Sequence, residues 1–127
     1  MQATDAGTLF SASDLVNFLE CEHRTTLDLQ DLLQPLERAA EDPSNKLVQD
    51  KGFAHEAAYL AALEASGLAI ARIEGRGTPA ELALRTREAM AAGADIIFQA
   101  AFRSGRFYGR ADFLRRVEEP SALGTYG

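Results

Sequence analysis

The stretch ADIIFQAAFRSGRFYGRADFLRRV, residues 94–117, decides the fold, because two apolar-rich segments flank one short turn signal. Ser104 and Gly105 suit a two-residue hairpin loop, which predicts a β-hairpin over 95–117. With that loop, alternate side chains fall on opposite faces of the hairpin. The predicted apolar face collects Ile96, Phe98, Ala100, Phe102, Phe107, Gly109, Ala111 and Phe113.

Asp112 lies inside the second predicted strand, where burying an unpaired carboxylate would be costly. The predicted register places Asp112 opposite Ile97, on the same face as Gln99 and Arg110. The other members of this polar face are Ala101, Arg103, Arg106 and Tyr108. Asp112 therefore need not enter the apolar core. Two interpretations are open: the carboxylate pairs with a neighbouring arginine, or it binds a cation.

Helical patterns occupy most of the chain before the hairpin. Ser13 is a suitable N-cap for the first helix, and a polar stretch allows a break near Thr25. The motif TPAE, 78–81, combines a cap, a first-turn proline and a capping-box glutamate. The alternating segment 68–74 predicts a strand. The predicted helices span 13–33, 46–66 and 78–92.

The length and composition of the chain predict one small globular domain. The chain has 127 residues, of which 46% are hydrophobic and 25% charged, as in ordinary globular proteins. The sequence contains no apolar run long enough to span a membrane and no signal-peptide pattern at its start, which predicts a cytoplasmic location without membrane contact. Cys21 is the one cysteine, so no internal disulfide is possible.

Charge is distributed unevenly along the chain. The net charge of −6 argues against a free-standing nucleic-acid binder. Residues 1–71 contain 4 basic and 12 acidic side chains, a net charge of −8, whereas 72–127 contain 9 basic and 7 acidic, a net charge of +2. The arginines around Asp112 are Arg103, Arg106, Arg110, Arg115 and Arg116. Composition alone favours the interpretation that these arginines form a solvated strand face. The alternative is that they bind a row of nucleic-acid phosphates beside the Asp112 carboxylate.

The stretch KGFAHEAAYL, residues 51–60, follows a helical pattern and contains His55, one of the two histidines in the sequence. Lys51, His55 and Tyr59 recur every four residues and share one helix face. Taken alone, His55 is best interpreted as a surface histidine or a hydrogen-bonded core histidine. A neutral imidazole and a strand carboxylate are also two ligands that one divalent metal ion accepts.

Five stretches in this order resemble the N-terminal part of RecB-like nucleases of the PD-(D/E)xK superfamily, which are often fused to a superfamily I helicase. They are SASDLVNFLECEHRTTLDL, KGFAHEAAYLAAL, AGADIIFQAAF, GRADFLRRVE and PSALG, and they cover most of 11–124. The first stretch also resembles the opening of the CRISPR-associated RecB-like exonucleases. The resemblance implies an α/β fold with a restriction-endonuclease-like core. It also implies that 1–127 are the N-terminal part of a single nuclease domain, truncated before the strand with the acidic-x-lysine motif.

The resemblance assigns roles to individual residues. His55 and Asp112 match the catalytic residues that bind Mg²⁺ or Mn²⁺. Cys21 matches the first of four cysteines that hold a 4Fe-4S cluster in some family members, which implies that it is a candidate cluster ligand in the longer parent. For these 127 residues we expect a packed thiol instead. Lys51, Arg110 and Arg106 are the candidates for contacts with DNA phosphates.

The function implied by the resemblance is metal-dependent hydrolysis of DNA phosphodiesters by the intact parent, in a DNA-repair or helicase–nuclease context. The absence of the acidic-x-lysine motif predicts that these 127 residues alone are inactive. The alternative is a non-catalytic interaction module, derived from a nuclease fold, that packs against DNA or a partner such as a helicase. The strand 106–117 lacks its expected neighbour, which predicts self-association or strand swapping unless the tail 118–127 folds over that edge.

Overall fold

A computed structural model of the chain describes residues 1–4, 7–40 and 42–119. Its elements are β1 (Gln2–Thr4), β2 (Gly7–Leu9), α1 (Ala12–Glu20), α2 (Glu22–Leu33), α3 (Pro43–Ala65), β3 (Ile70–Arg72), α4 (Pro79–Ala91), β4 (Ile96–Ser104) and β5 (Phe107–Arg115). This mixture of helices and two small sheets confirms the predicted α/β class. No helix within the described ranges is both long and apolar enough to cross a membrane.

The chain forms two compact units. The first contains the described residues of 1–39 and the hairpin tip, 102–109. The second contains the described residues of 40–101 and 110–119. The predicted PSALG segment, 120–124, lies outside the described residues.

In the first unit, β1 and β2 pair in antiparallel fashion and lead into α1. Ser11 caps α1, and its side chain and backbone form a reciprocal capping box with Asp14. The predicted cap, Ser13, instead lies within the helix, because Ser11 is the residue spaced correctly from Asp14. The prediction of one helix over 13–33 with a break near Thr25 is wrong: the break is at Cys21, whose extended backbone (φ −160°) ends α1 and precedes α2.

The Asp14 carboxylate lies at the centre of a small polar cluster in this unit. It accepts hydrogen bonds from the N-terminal ammonium of Met1 at 2.9 Å, from the Ser11 backbone N–H at 2.6 Å and from the Ser11 hydroxyl at 2.7 Å. Asp14 is only 8% exposed. Burial by itself would raise its pKa, but the ammonium and the two Ser11 donors outweigh burial and hold the pKa below its ordinary value.

The second unit is built on the parallel pair β3–β4, with α4 as the connection between the two strands. Ile70 pairs with Ile96, and Arg72 pairs with Phe98. The capping box of Thr78 and Glu81 starts α4 as predicted. The Thr86 hydroxyl donates to the Leu82 carbonyl at 3.1 Å and accepts the Ala101 N–H at 2.8 Å, which ties α4 to β4.

The core of this unit surrounds β4. Its buried apolar side chains are Leu60, Ile73, Leu82, Ile96, Ile97, Phe98, Ala100 and Ala101. Ile96 and Ile97 are consecutive, yet each is only 1% exposed. The prediction that Ile97 and Ala101 belong to a polar face is therefore wrong. The central strand of a sheet that is covered on both faces buries residues of both alternating sets.

The predicted hairpin 95–117 is confirmed by β4 and β5, which are neighbours in the sheet. The turn residues are Gly105 and Arg106, however, and not Ser104 and Gly105. Gly105 has a φ of 55°, which suits the first central position of a type II′ turn. A loop displaced by one residue moves each strand partner by two positions, so the different turn does not by itself change which residues share a face.

The two other predicted helices are confirmed with adjusted limits. The predicted helix 46–66 is α3, which begins three residues earlier because Asp42 caps it and Pro43 occupies its first position. The Ser44 backbone N–H donates to the Asp42 carboxylate at 2.8 Å, which completes this cap. The predicted helix 78–92 is α4.

We expect the chain to self-associate through β5, the terminal strand of the sheet order β3–β4–β5. Over 110–115 no described strand pairs with its outer side, and exposed strand edges invite pairing with another chain. Sedimentation velocity over a range of concentrations should show association. A monodisperse monomer with slow amide exchange along 110–115 would contradict this expectation.

Candidate functional site

A groove of about 590 Å³ in the second unit contains the two residues predicted as metal ligands. His55 is contributed by α3 and Asp112 by β5. The groove is lined by Gln49, Gly52, Phe53, His55, Glu56, Tyr59, Asp112 and Phe113. The tertiary structure thus brings together a histidine and an aspartate that are far apart in the sequence.

Aromatic contacts hold α3 against the hairpin beside this groove. The rings of Tyr59 and Phe113 meet edge to face with their centroids 4.8 Å apart. Phe113 also contacts Phe98 of β4 at 5.2 Å. Because Tyr59 lies one helical turn after His55, these contacts fix the part of α3 that carries the histidine.

The His55 side chain is exposed at the groove. None of the described residues forms a hydrogen bond with its imidazole. The imidazole is therefore available to a ligand in the groove. Lys51 is exposed one turn earlier on the same helix face, as predicted.

The Asp112 carboxylate is bound by a glutamine and not by an arginine. The Gln99 Nε2 donates to Asp112 Oδ1 at 3.1 Å and to Glu56 Oε1 at 2.7 Å. Since ionised carboxylates only accept hydrogen bonds, the amide nitrogen of Gln99 must face both of them. Within the described part of the chain no arginine lies at ion-pair distance from Asp112, so pairing with an arginine does not explain this residue.

The Gln99 backbone adopts a left-handed conformation inside β4, with a φ of 57°. Such a conformation costs a non-glycine residue about 1–2 kcal/mol. Arg110 stabilises it, because its Nη2 donates to the Gln99 carbonyl at 3.1 Å and to the Ile73 carbonyl at 2.6 Å. One nitrogen of the predicted phosphate ligand Arg110 therefore has a structural role.

Neither Glu56 nor Gln99 was predicted to belong to the site. The position of Glu56 beside His55 was the available signal, but a glutamate on an exposed helix is ordinary. For Gln99 the indication in the sequence was weaker, namely that the predicted register places it on the same face of the hairpin as Asp112. Neither residue stands out until α3 and the hairpin are packed together.

The imidazole and carboxylate groups in the groove are ligands that some divalent metal ions accept. Mn²⁺ accepts an imidazole together with carboxylate oxygens, whereas Mg²⁺ prefers oxygen ligands alone. Across 1–4, 7–40 and 42–119, however, no three or more histidine, cysteine or acidic side chains are grouped to hold a metal ion. His55 and Asp112 therefore offer part of a coordination sphere, and water, substrate or further residues would have to supply the rest.

Two predicted site residues belong to the first unit. Arg106 donates its Nε to the Thr8 carbonyl at 3.3 Å, and its guanidinium lies 5.0 Å from the centre of the Phe10 ring. Cys21 is exposed, so the prediction of a packed thiol is wrong. The junction between α1 and α2 places Cys21 at a surface. These 127 residues contain one cysteine, whereas a 4Fe-4S cluster needs four such ligands, so they cannot hold a cluster by themselves.

Comparisons with known proteins add no relative: the sequence matches no family model, no curated protein and no solved structure. Support for a function therefore comes from the groove itself. Its informative features are the shared location of His55 and Asp112 and the hydrogen bonds that hold Asp112 against α3.

Proposed function

We propose that this chain contributes the first part of a metal-dependent DNA nuclease with a restriction-endonuclease-like core, acting in DNA repair or beside a helicase. The observation that carries the proposal is that His55 and Asp112 line one groove. Both residues also match the family pattern that the sequence resembles. The proposal assigns the acidic-x-lysine motif to residues outside these 127, because their sequence does not contain it.

In this proposal His55 and Asp112 hold Mg²⁺ or Mn²⁺. When bound, such an ion lowers the pKa of water and offsets negative charge on the phosphate. Lys51 lies one turn from His55 and supplies a positive charge to a phosphate oxygen. Arg110 keeps further guanidinium N–H groups for the same purpose, since one of its nitrogens serves the Gln99 and Ile73 carbonyls.

A second candidate function is a non-catalytic interaction module. The observation that favours it is the number of exposed large apolar side chains on the helices, which are commonly covered in an assembled protein. On the first two helices they are Leu15, Val16, Phe18, Leu19, Leu27, Leu29 and Leu33, and on the third Leu47, Val48, Phe53 and Tyr59. A longer nuclease domain would also cover such surfaces, so metal binding is the property that separates the two functions.

Titration of the 127-residue chain with Mn²⁺, followed by calorimetry, tests the proposed function. We expect one weak site, because the chain supplies only part of the coordination sphere. Asp112→Asn and His55→Ala should each weaken binding by more than about 10-fold, since even the loss of a supporting residue typically weakens metal sites 10–100-fold.

Asp50→Asn is the matched control, because Asp50 is an exposed carboxylate of α3 that does not line the groove. This variant removes the same charge and should leave Mn²⁺ binding unchanged. Absence of binding by the wild-type chain, or equal weakening by Asp50→Asn and Asp112→Asn, would contradict the nuclease proposal and favour the interaction module.

A further inference from the structure

Gln99 combines a strained backbone with a central position in the groove. Among the described non-glycine residues, it is the one with a positive φ. It lies in the middle of β4, where a regular strand would have a negative φ. Left-handed geometry is unfavourable for glutamine, so contacts made by this residue must offset the cost.

Three contacts made by Gln99 join separate elements of the second unit. Its amide nitrogen donates to Glu56 of α3 at 2.7 Å and to Asp112 of β5 at 3.1 Å. Its carbonyl accepts from Arg110, whose same nitrogen also bonds the Ile73 carbonyl beyond β3. At the residue with left-handed backbone, the side-chain amide and the main-chain carbonyl therefore both form hydrogen bonds with side chains.

We propose that Gln99 is a positioning residue: its amide holds the Asp112 carboxylate of β5 against Glu56 of α3, beside His55. This inference rests on the proposed function, because the group positioned is the carboxylate assigned to the divalent ion. Asp112 is exposed and would otherwise sample several rotamers. An amide that donates to both carboxylates also reduces the repulsion between them, which otherwise drives like charges apart.

Gln99→Gly separates this role from a purely structural one. Glycine adopts a φ of 57° without strain, so the backbone conformation is retained while the amide is lost. Gln99→Ala removes the amide and keeps the strain. We expect both variants to bind Mn²⁺ about 10–100-fold more weakly than wild type. The thermal unfolding midpoint of the glycine variant should lie above that of the alanine variant.

Gln30→Ala serves as the control, because Gln30 is an exposed glutamine of α2 in the other unit. It should bind Mn²⁺ like wild type. If the wild-type chain binds no Mn²⁺, the proposed function is contradicted. The role of Gln99 is then contradicted as well, because there is no ion for which it would position Asp112. Wild-type binding with unchanged affinity in a folded Gln99→Gly variant would overturn the role of Gln99 alone and leave the proposed function standing.

Discussion

Replacing Asp112 by asparagine is expected to lower DNA cleavage by roughly 1000-fold in a protein that joins this chain to an acidic-x-lysine strand. Asparagine has nearly the same shape but lacks the negative charge that a divalent ion requires. The fold should survive, because Asp112 is exposed and the asparagine oxygen can still accept the Gln99 amide.

Cleavage of labelled single- and double-stranded DNA with Mg²⁺ or Mn²⁺ measures this effect, and circular dichroism checks the fold. Asp50→Asn should cleave like wild type. Retained cleavage in folded Asp112→Asn protein would show that this carboxylate does not serve the reaction. The 127-residue chain by itself should not cleave DNA. Robust metal-dependent cleavage by it, abolished by Asp112→Ala, would show that no further strand is needed.

The second large effect concerns stability of the first unit. Asp14→Ala is expected to lower the free energy of unfolding by about 1–3 kcal/mol, because it removes a helix cap partner and leaves the part-buried ammonium of Met1 without its counter-charge. The side chains of Asp14 and Met1 are 9% and 3% exposed. Ser13→Ala is the matched control: Ser13 is exposed within α1, and its loss should change stability little.

The contribution of Asp14 should depend on pH in one direction. Its pKa is lowered in the folded chain: burial opposes the ionised form, but the Met1 ammonium and Ser11 outweigh burial. When the pKa of an acid is lower in the folded than in the unfolded chain, its ionised form stabilises the fold. This contribution is complete at pH values above the pKa in the unfolded chain, which is about 3.9 for aspartate. That stabilisation is lost as the pH falls through the lower folded value.

Urea unfolding at neutral pH and across the acidic range measures both effects. The difference between wild type and Asp14→Ala should be largest at neutral pH and shrink towards strongly acidic pH. A difference that stays constant across this range would show that the charge of Asp14 does not contribute.

Local sequence signals predicted the elements that depend on neighbours along the chain. The capping box of Thr78 and Glu81 lies within one helical turn, and it starts α4 where expected. The hairpin 95–117 needed only a short turn and alternating side chains. Two of the errors were small local shifts: the helix cap is Ser11 and not Ser13, and the turn is Gly105–Arg106 and not Ser104–Gly105. Signals spaced this closely require the packed structure to choose between them.

Long-range packing decided the rest. Ile97 is buried because β4 is a central strand, which its own sequence does not specify. Cys21 is exposed because the chain changes direction between α1 and α2 at this residue.

In the candidate site, too, local sequence and long-range packing decided different things. The sequence by itself determined which side chains could bind a divalent ion, since the imidazole of His55 and the carboxylate of Asp112 have that chemistry wherever they lie. Only the tertiary structure decided that both line one groove and that Gln99 joins Asp112 to Glu56. The physical reason is that a hydrogen bond between distant segments forms after helix and hairpin have packed. The left-handed backbone of Gln99 is tolerated because those contacts offset its cost.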